Sequence, residues 1–190
     1  MVGLPRRQAG LTALYLGVFA AVWFSVPKAD PPLRSLLVVG SVVALLAAVV
    51  GAVLVARAGR REAAQRDRSA DRRYGLVVVA EVVVGLAGAL ILAAVGLSGY
   101  IPVLVCAVVG IHFLPLAPVL RDRLLVPLGV AVTLVALAGL IVDLVSGVSA
   151  GLVVGTGAGT LLLAYAVLAL FRTRGLDHQA VGAEAERRVA

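Results

Sequence analysis

Charge is scarce in this chain. Of its 190 residues, 14% are Asp, Glu, Lys or Arg, where a soluble domain carries roughly a quarter. Cysteine is scarcer still. Cys106 stands alone within an apolar run, which excludes a disulfide framework and any multi-cysteine metal site; it reads as a buried, inert thiol. Neither a phosphate-binding glycine loop nor a metal-ligand cluster is present, so no cofactor and no metal is implied. Aromatic residues make up 5%, few rings with which to line a cavity.

What fills the space is apolar: 62% of the residues are hydrophobic and the mean hydropathy is +1.08. The expected class is an all-α integral membrane protein, one compact bundle rather than several domains. Spanning a hydrocarbon core of about 30 Å takes roughly 20 apolar residues. Six runs qualify: Leu11–Val26, Leu36–Ala56, Tyr74–Leu97, Tyr100–Leu120, Leu124–Val145 and Val148–Phe171. "PKADPPLR" parts the first two, because its prolines cannot continue a helix. "LSGYIP" and "VSGVSAG" read as tight, uncharged hairpin turns. Arg6 and Arg7 before the first run resemble the start of a signal peptide, but no small-x-small site closes that run, so it is expected to be a retained first span. Residues 1–172 then form a six-span transmembrane domain and 173–190 a polar cytoplasmic tail.

The formal charge of +7 does not point to nucleic acid, because the basic residues lie between the apolar runs. Fifteen of the seventeen fall on one side of an even-span bundle, and only Lys28 and Arg34 fall opposite. The positive-inside rule therefore puts both termini in the cytoplasm of a multi-pass protein of the cell inner (cytoplasmic) membrane. The segment "RAGRREAAQRDRSADRRYG" has two readings, a basic patch gripping anionic headgroups or a plain topology anchor. The anchor asks for less. In the polar tail, which has no lipidation box, His178 carries no functional expectation.

Ionisable groups inside a span cost about 2.5–3.5 kcal/mol on insertion scales, which makes each a functional candidate. Three occur: Glu81, His112 and Asp143. Glu81 lies eight residues past Arg73 and His112 nine before Arg121, so both sit about 12–14 Å from the cytoplasmic boundary. A Glu–His pair on consecutive antiparallel helices is feasible. Asp143, twenty residues past Arg123, lies about 30 Å from that boundary, where it is either a solvated carboxylate near a turn or part of an outer cavity. An apolar setting favours the uncharged form of a carboxyl group. Glu81 is thus expected to carry a proton, with His112 its exchange partner, the two titrating as one unit.

Several other groups belong near that level. Tyr15, Thr133 and Tyr165 put hydroxyls from spans one, five and six roughly 10–15 Å deep, though Thr133 can bond its own helix and the tyrosines can serve an interfacial belt. Tyr15, Phe19 and Trp23 are spaced i, i+4, i+8. Such a stripe either stabilises a cation through its ring faces or faces lipid. Gly85 and Gly88 share the face of Glu81, which suggests that it looks into the bundle. Gly151, Gly155 and Gly159 form a small-xxx-small stripe suited to a neighbour in the same chain or to a homo-oligomer. Pro115 and Pro118 remove the helical partners of the Ile111 and Leu114 carbonyls, which either frees acceptors beside His112 for its ring, a water or a ligand, or simply marks a kinked helix end with His112 bonding a neighbouring helix.

The segment "GIHFLPLA" resembles one in small bacterial six-span membrane proteins of similar length, a likeness that covers span four and implies no activity. In layout the chain also resembles the integral-membrane terpene cyclases, small helical bundles in which membrane-embedded acids protonate an epoxide or alkene. That resemblance implies an acid role for Glu81, with Asp143 the second acid, and an isoprenoid (meroterpenoid) substrate. The leading expectation is accordingly a membrane-embedded enzyme on a lipophilic small molecule. Glu81, His112 and Asp143 would be catalytic, and Tyr15, Phe19, Trp23, Thr133 and Tyr165 would contact substrate. A proton-coupled transporter using the same pair as a relay, and an assembly subunit in which it only ties helices, are the alternatives.

Overall fold

A computed structural model of the chain describes residues 6–58, 68–120, 122 and 124–189. Residues 59–67 of the basic segment, with both its readings, and the two arginines flanking Asp122 lie outside these described residues. The described chain is helical: α1 Arg6–Ser25, α2 Leu33–Arg57, α3 Arg68–Ala94, α4 Ile101–Leu120, α5 Leu125–Ser146 and α6 Ala150–Val189, with a single 3₁₀ turn at Ser98–Tyr100. In α1, α2, α4 with its preceding turn, α5 and the first part of α6, the apolar stretch is long enough to cross a bilayer; in α3 it is shorter, Val78–Ala94. The six apolar runs thus map onto the six helices, five of them of spanning length.

The ends differ from hydropathy where polar residues are good helix formers. α3 begins at Arg68, six positions before the apolar run, and α6 continues through the polar segment to Val189. At 40 residues, α6 is about 60 Å long, twice the thickness of a hydrocarbon core. Pro115 and Pro118 do not end α4, which runs past both to Leu120. Between α5 and α6 the chain turns in three residues. Gly147 closes α5 at a φ of +69°, a conformation glycine takes without steric cost.

α6 is the central element, packing on α1, α2, α4 and α5; α1 pairs with α2 and α4 with α5, and α3 packs on α4. Small residues bring the backbones together. A Cβ at Gly17 would come within 2.6 Å of the Ala44 carbonyl oxygen, and one at Gly51 within 2.6 Å of that of Gly10. No lipid solvent drives apolar helices together, so such close packing must supply the attraction. The Gly151, Gly155 and Gly159 stripe is used the same way. Gly155 meets Pro27 and the Trp23 carbonyl, and Gly159 the Phe24 ring. Within the chain the stripe packs on the end of α1 and the connection that follows it.

Candidate functional site

Glu81 sits on α3 and His112 on α4, and the structure brings them into direct contact, Oε2 against Nδ1. Their side chains are 19% and 15% exposed. The packing around the pair explains how it forms. Gly88 gives room to Leu104, and Gly85 faces Val108, so the glycine face of α3 lies on α4 and carries Glu81 with it. One turn of small residues does the same on the other side of α4. A Cβ on Gly129 of α5 would meet the Gly110 carbonyl oxygen at 2.6 Å, which seats α4 tightly on α5. The His112 imidazole lies 6.2 Å from the Phe113 ring, tilted by 58°, and Phe113 turns into the core.

The pair occupies a seam at the edge of the bundle. Val82, Val83 and Val84 beside Glu81 are exposed, as is Ile111 beside His112. A carboxyl and an imidazole in contact can share one proton. Passing it from oxygen to nitrogen separates charge within the pair but leaves the net charge at zero, so the move needs no counterion in a low-dielectric setting. Such a pair can give a proton to a third group and take one back.

The remaining sequence candidates scatter. Along α1, residues four apart are offset by about 40°, so Tyr15 and Trp23 diverge by about twice that. Tyr15 and Phe19 face outward at 60% and 51% exposure, while Trp23 is buried. The three do not form one wall. They stand on α1, which packs on α2 and α6, whereas the Glu81–His112 seam belongs to α3 and α4. Thr133 abuts Gly110 across the α4–α5 crossing, but its hydroxyl donates to the Gly129 carbonyl of its own helix at 2.8 Å. Tyr165 donates to the Leu124 carbonyl and ties α6 to the start of α5.

Asp143 stands apart from the pair. Its carboxylate accepts the Ala150 N–H at 3.2 Å, and Tyr100 is beside it. Twelve residues of α4 separate the Tyr100 level from His112, about 18 Å along the axis. Asp143 therefore works as a cap on the first turn of α6, not as a member of the acid–base pair. Asp143→Ala is expected to cost about 0.5–2 kcal/mol of stability, the usual loss on removing a cap, and to leave the chemistry of Glu81 and His112 intact. Denaturation titration of the purified variant checks the first part.

One charged residue escaped the linear reading. Asp122 lies in the "RDR" between α4 and α5, and among the described residues it is the only buried charged one. Arg172 of α6 reaches it with Nη1 at 3.3 and 3.4 Å from its two carboxylate oxygens, and it accepts the Leu124 N–H at 3.2 Å. With Tyr165, these groups tie the end of α4 and the start of α5 to the middle of α6. Burial is the reason the triplet misleads: three adjacent charges read as solvated, and the partner is fifty residues away. Cys106 is also tied down, its thiol donating to the Val132 carbonyl at 3.3 Å. No family model, curated protein or solved structure matches the chain.

Proposed function

We propose that the chain is a multi-pass protein of the cytoplasmic membrane with both termini inside. Its Glu81–His112 pair is read as an acid–base centre for a lipophilic molecule that arrives through the bilayer. The observation carrying this reading is the direct contact of the two groups on a seam whose flanks are exposed and apolar. A ligand dissolved in lipid reaches such a seam sideways, without a water-filled mouth.

The chemistry is an isomerisation. The pair donates its proton to an alkene or epoxide, the resulting cation rearranges, and a carbon gives up a proton to restore the pair. Substrate and product have the same atoms, and no redox partner is consumed. An isoprenoid cyclisation is the specific form proposed. Because Tyr15 and Phe19 face outward on α1, the walls nearest the proton are the valines of α3 and Ile111 of α4. A second reading follows from the packing of α3 on α4, in which the pair is only a polar tie holding α3 in place.

Linear prenylated compounds and their epoxides, incubated with the purified protein and analysed by mass spectrometry, separate the two. The expected result is an isomeric product with wild type that is lost with folded Glu81→Gln and His112→Ala. No product from folded wild type across the panel overturns the enzyme reading, and proton-linked flux in liposomes then becomes the next assay. Topology has its own check. Lys28 is the chain's only lysine and is exposed in the α1–α2 connection. A membrane-impermeant amine reagent on intact cells is expected to label it, with the label lost in Lys28→Arg.

A further inference from the structure

Beside His112, α4 carries a feature that the acid–base chemistry does not use. Ile111, Leu114, Pro115 and Pro118 are spaced i, i+3, i+4, i+7, which places them on one face of the helix, and all four are exposed. Proline has no N–H, so the carbonyls of Ile111 and Leu114, four residues before each proline, lose their helical donors while α4 continues through both positions. A helical carbonyl points toward the nitrogen four residues on, so both freed oxygens lie on the proline face. No side chain among the described residues is seen to donate to either. In hydrocarbon, where bulk water is not available, a carbonyl that has lost its i+4 donor takes another, from the adjusted helix, a neighbouring group or a bound molecule.

We infer that the Ile111–Pro118 face of α4 binds a lipophile bearing a hydroxyl group, the freed carbonyls accepting its O–H beside Glu81 and His112. This rests on the proposed acid–base reading and narrows its substrate to prenyl alcohols or phenols, in preference to ketones, ethers or hydrocarbons. The two freed acceptors bracket His112 in sequence, one residue before it and two after. A hydroxyl bound there fixes the polar end of the molecule at the proton donor and leaves its chain along the exposed valines of α3. A headgroup that only accepts hydrogen bonds gains nothing from this face.

The test uses the full chain in nanodiscs, a radiolabelled C20 prenyl alcohol and its methyl ether, which keeps the shape and lacks the donor. Wild type is expected to prefer the alcohol by about tenfold, one good hydrogen bond's worth. The variant Pro115→Ala/Pro118→Ala restores both N–H groups to the helix and is expected to bring the preference close to one. Each single variant should lose part of it. Equal binding of alcohol and ether by wild type overturns the inference, as does an undiminished preference in the double variant. Equal loss of both ligands in the double variant also overturns it, since the prolines would then shape the groove and not expose acceptors. Turnover is read separately: product without alcohol preference sinks this inference alone, whereas alcohol preference without product sinks the enzymatic reading and leaves this one standing.

Discussion

Asp122→Ala is expected to destabilise the protein by about 3–5 kcal/mol, the usual cost of breaking a buried ion pair by removing one partner. The size follows from what is left behind. The Arg172 guanidinium, its side chain 16% exposed, keeps its charge and loses the Asp122 carboxylate beside it, while the Leu124 N–H loses the Asp122 acceptor. Removing both charges is a different experiment. In Asp122→Leu/Arg172→Leu both charges of the pair are gone, and buried pairs replaced by apolar residues are often neutral or better. The double variant should therefore recover most of the loss. Denaturant titration in detergent measures all three proteins, and a loss below about 1 kcal/mol in Asp122→Ala would mean the pair behaves as a solvated surface bridge.

The second large effect is on rate. Positioned acid–base groups contribute typically 10²- to 10⁴-fold, so Glu81→Gln and His112→Ala are each expected to reduce product formation by that order. The two losses should not multiply. If the groups share one proton, either substitution disables the unit, and the double variant should be no slower than the worse single one. A multiplicative loss would show two independent roles, and unchanged rates in all three variants would leave the pair as a tie between α3 and α4. Stability of the same variants separates the cases further, because a tie that is cut loosens α3 whatever the rate.

Depth along a helix is legible in a sequence and direction around it is much less so. Counting residues from the flanking arginines put Glu81 and His112 at one level, and they are in contact; the small residues at 85 and 88 even indicated the correct face, because only a near neighbour makes use of them. The same counting put Tyr15, Thr133 and Tyr165 in that layer, and each has its own surroundings: outward for Tyr15, the Gly129 carbonyl for Thr133, the Leu124 carbonyl for Tyr165. The aromatic stripe on α1 shows why. A spacing of four is close to a turn but not equal to one, and over eight residues the drift is enough to bury one end and expose the other. Asp122 was illegible for another reason. Its burial depends on Arg172 arriving from α6, and nothing local in "RDR" records that arrival. Helix ends were read only to the edge of the apolar runs, since hydropathy reports where lipid begins and not where hydrogen bonding stops.

The central place of α6 sets the order in which the molecule is built. During synthesis α1 and α2 leave the ribosome first and can zip together through Gly10, Gly17 and Gly51; α4 and α5 follow and join through Gly110 and Gly129. The two hairpins meet chiefly through α6, the last of the six helices to be made. Until it enters the membrane, Asp122 lacks the Arg172 it pairs with and Phe24 lacks the Gly159 it packs on. The nascent bundle is thus two preassembled hairpins awaiting a keystone, and cellular quality control would see an open protein until α6 arrives.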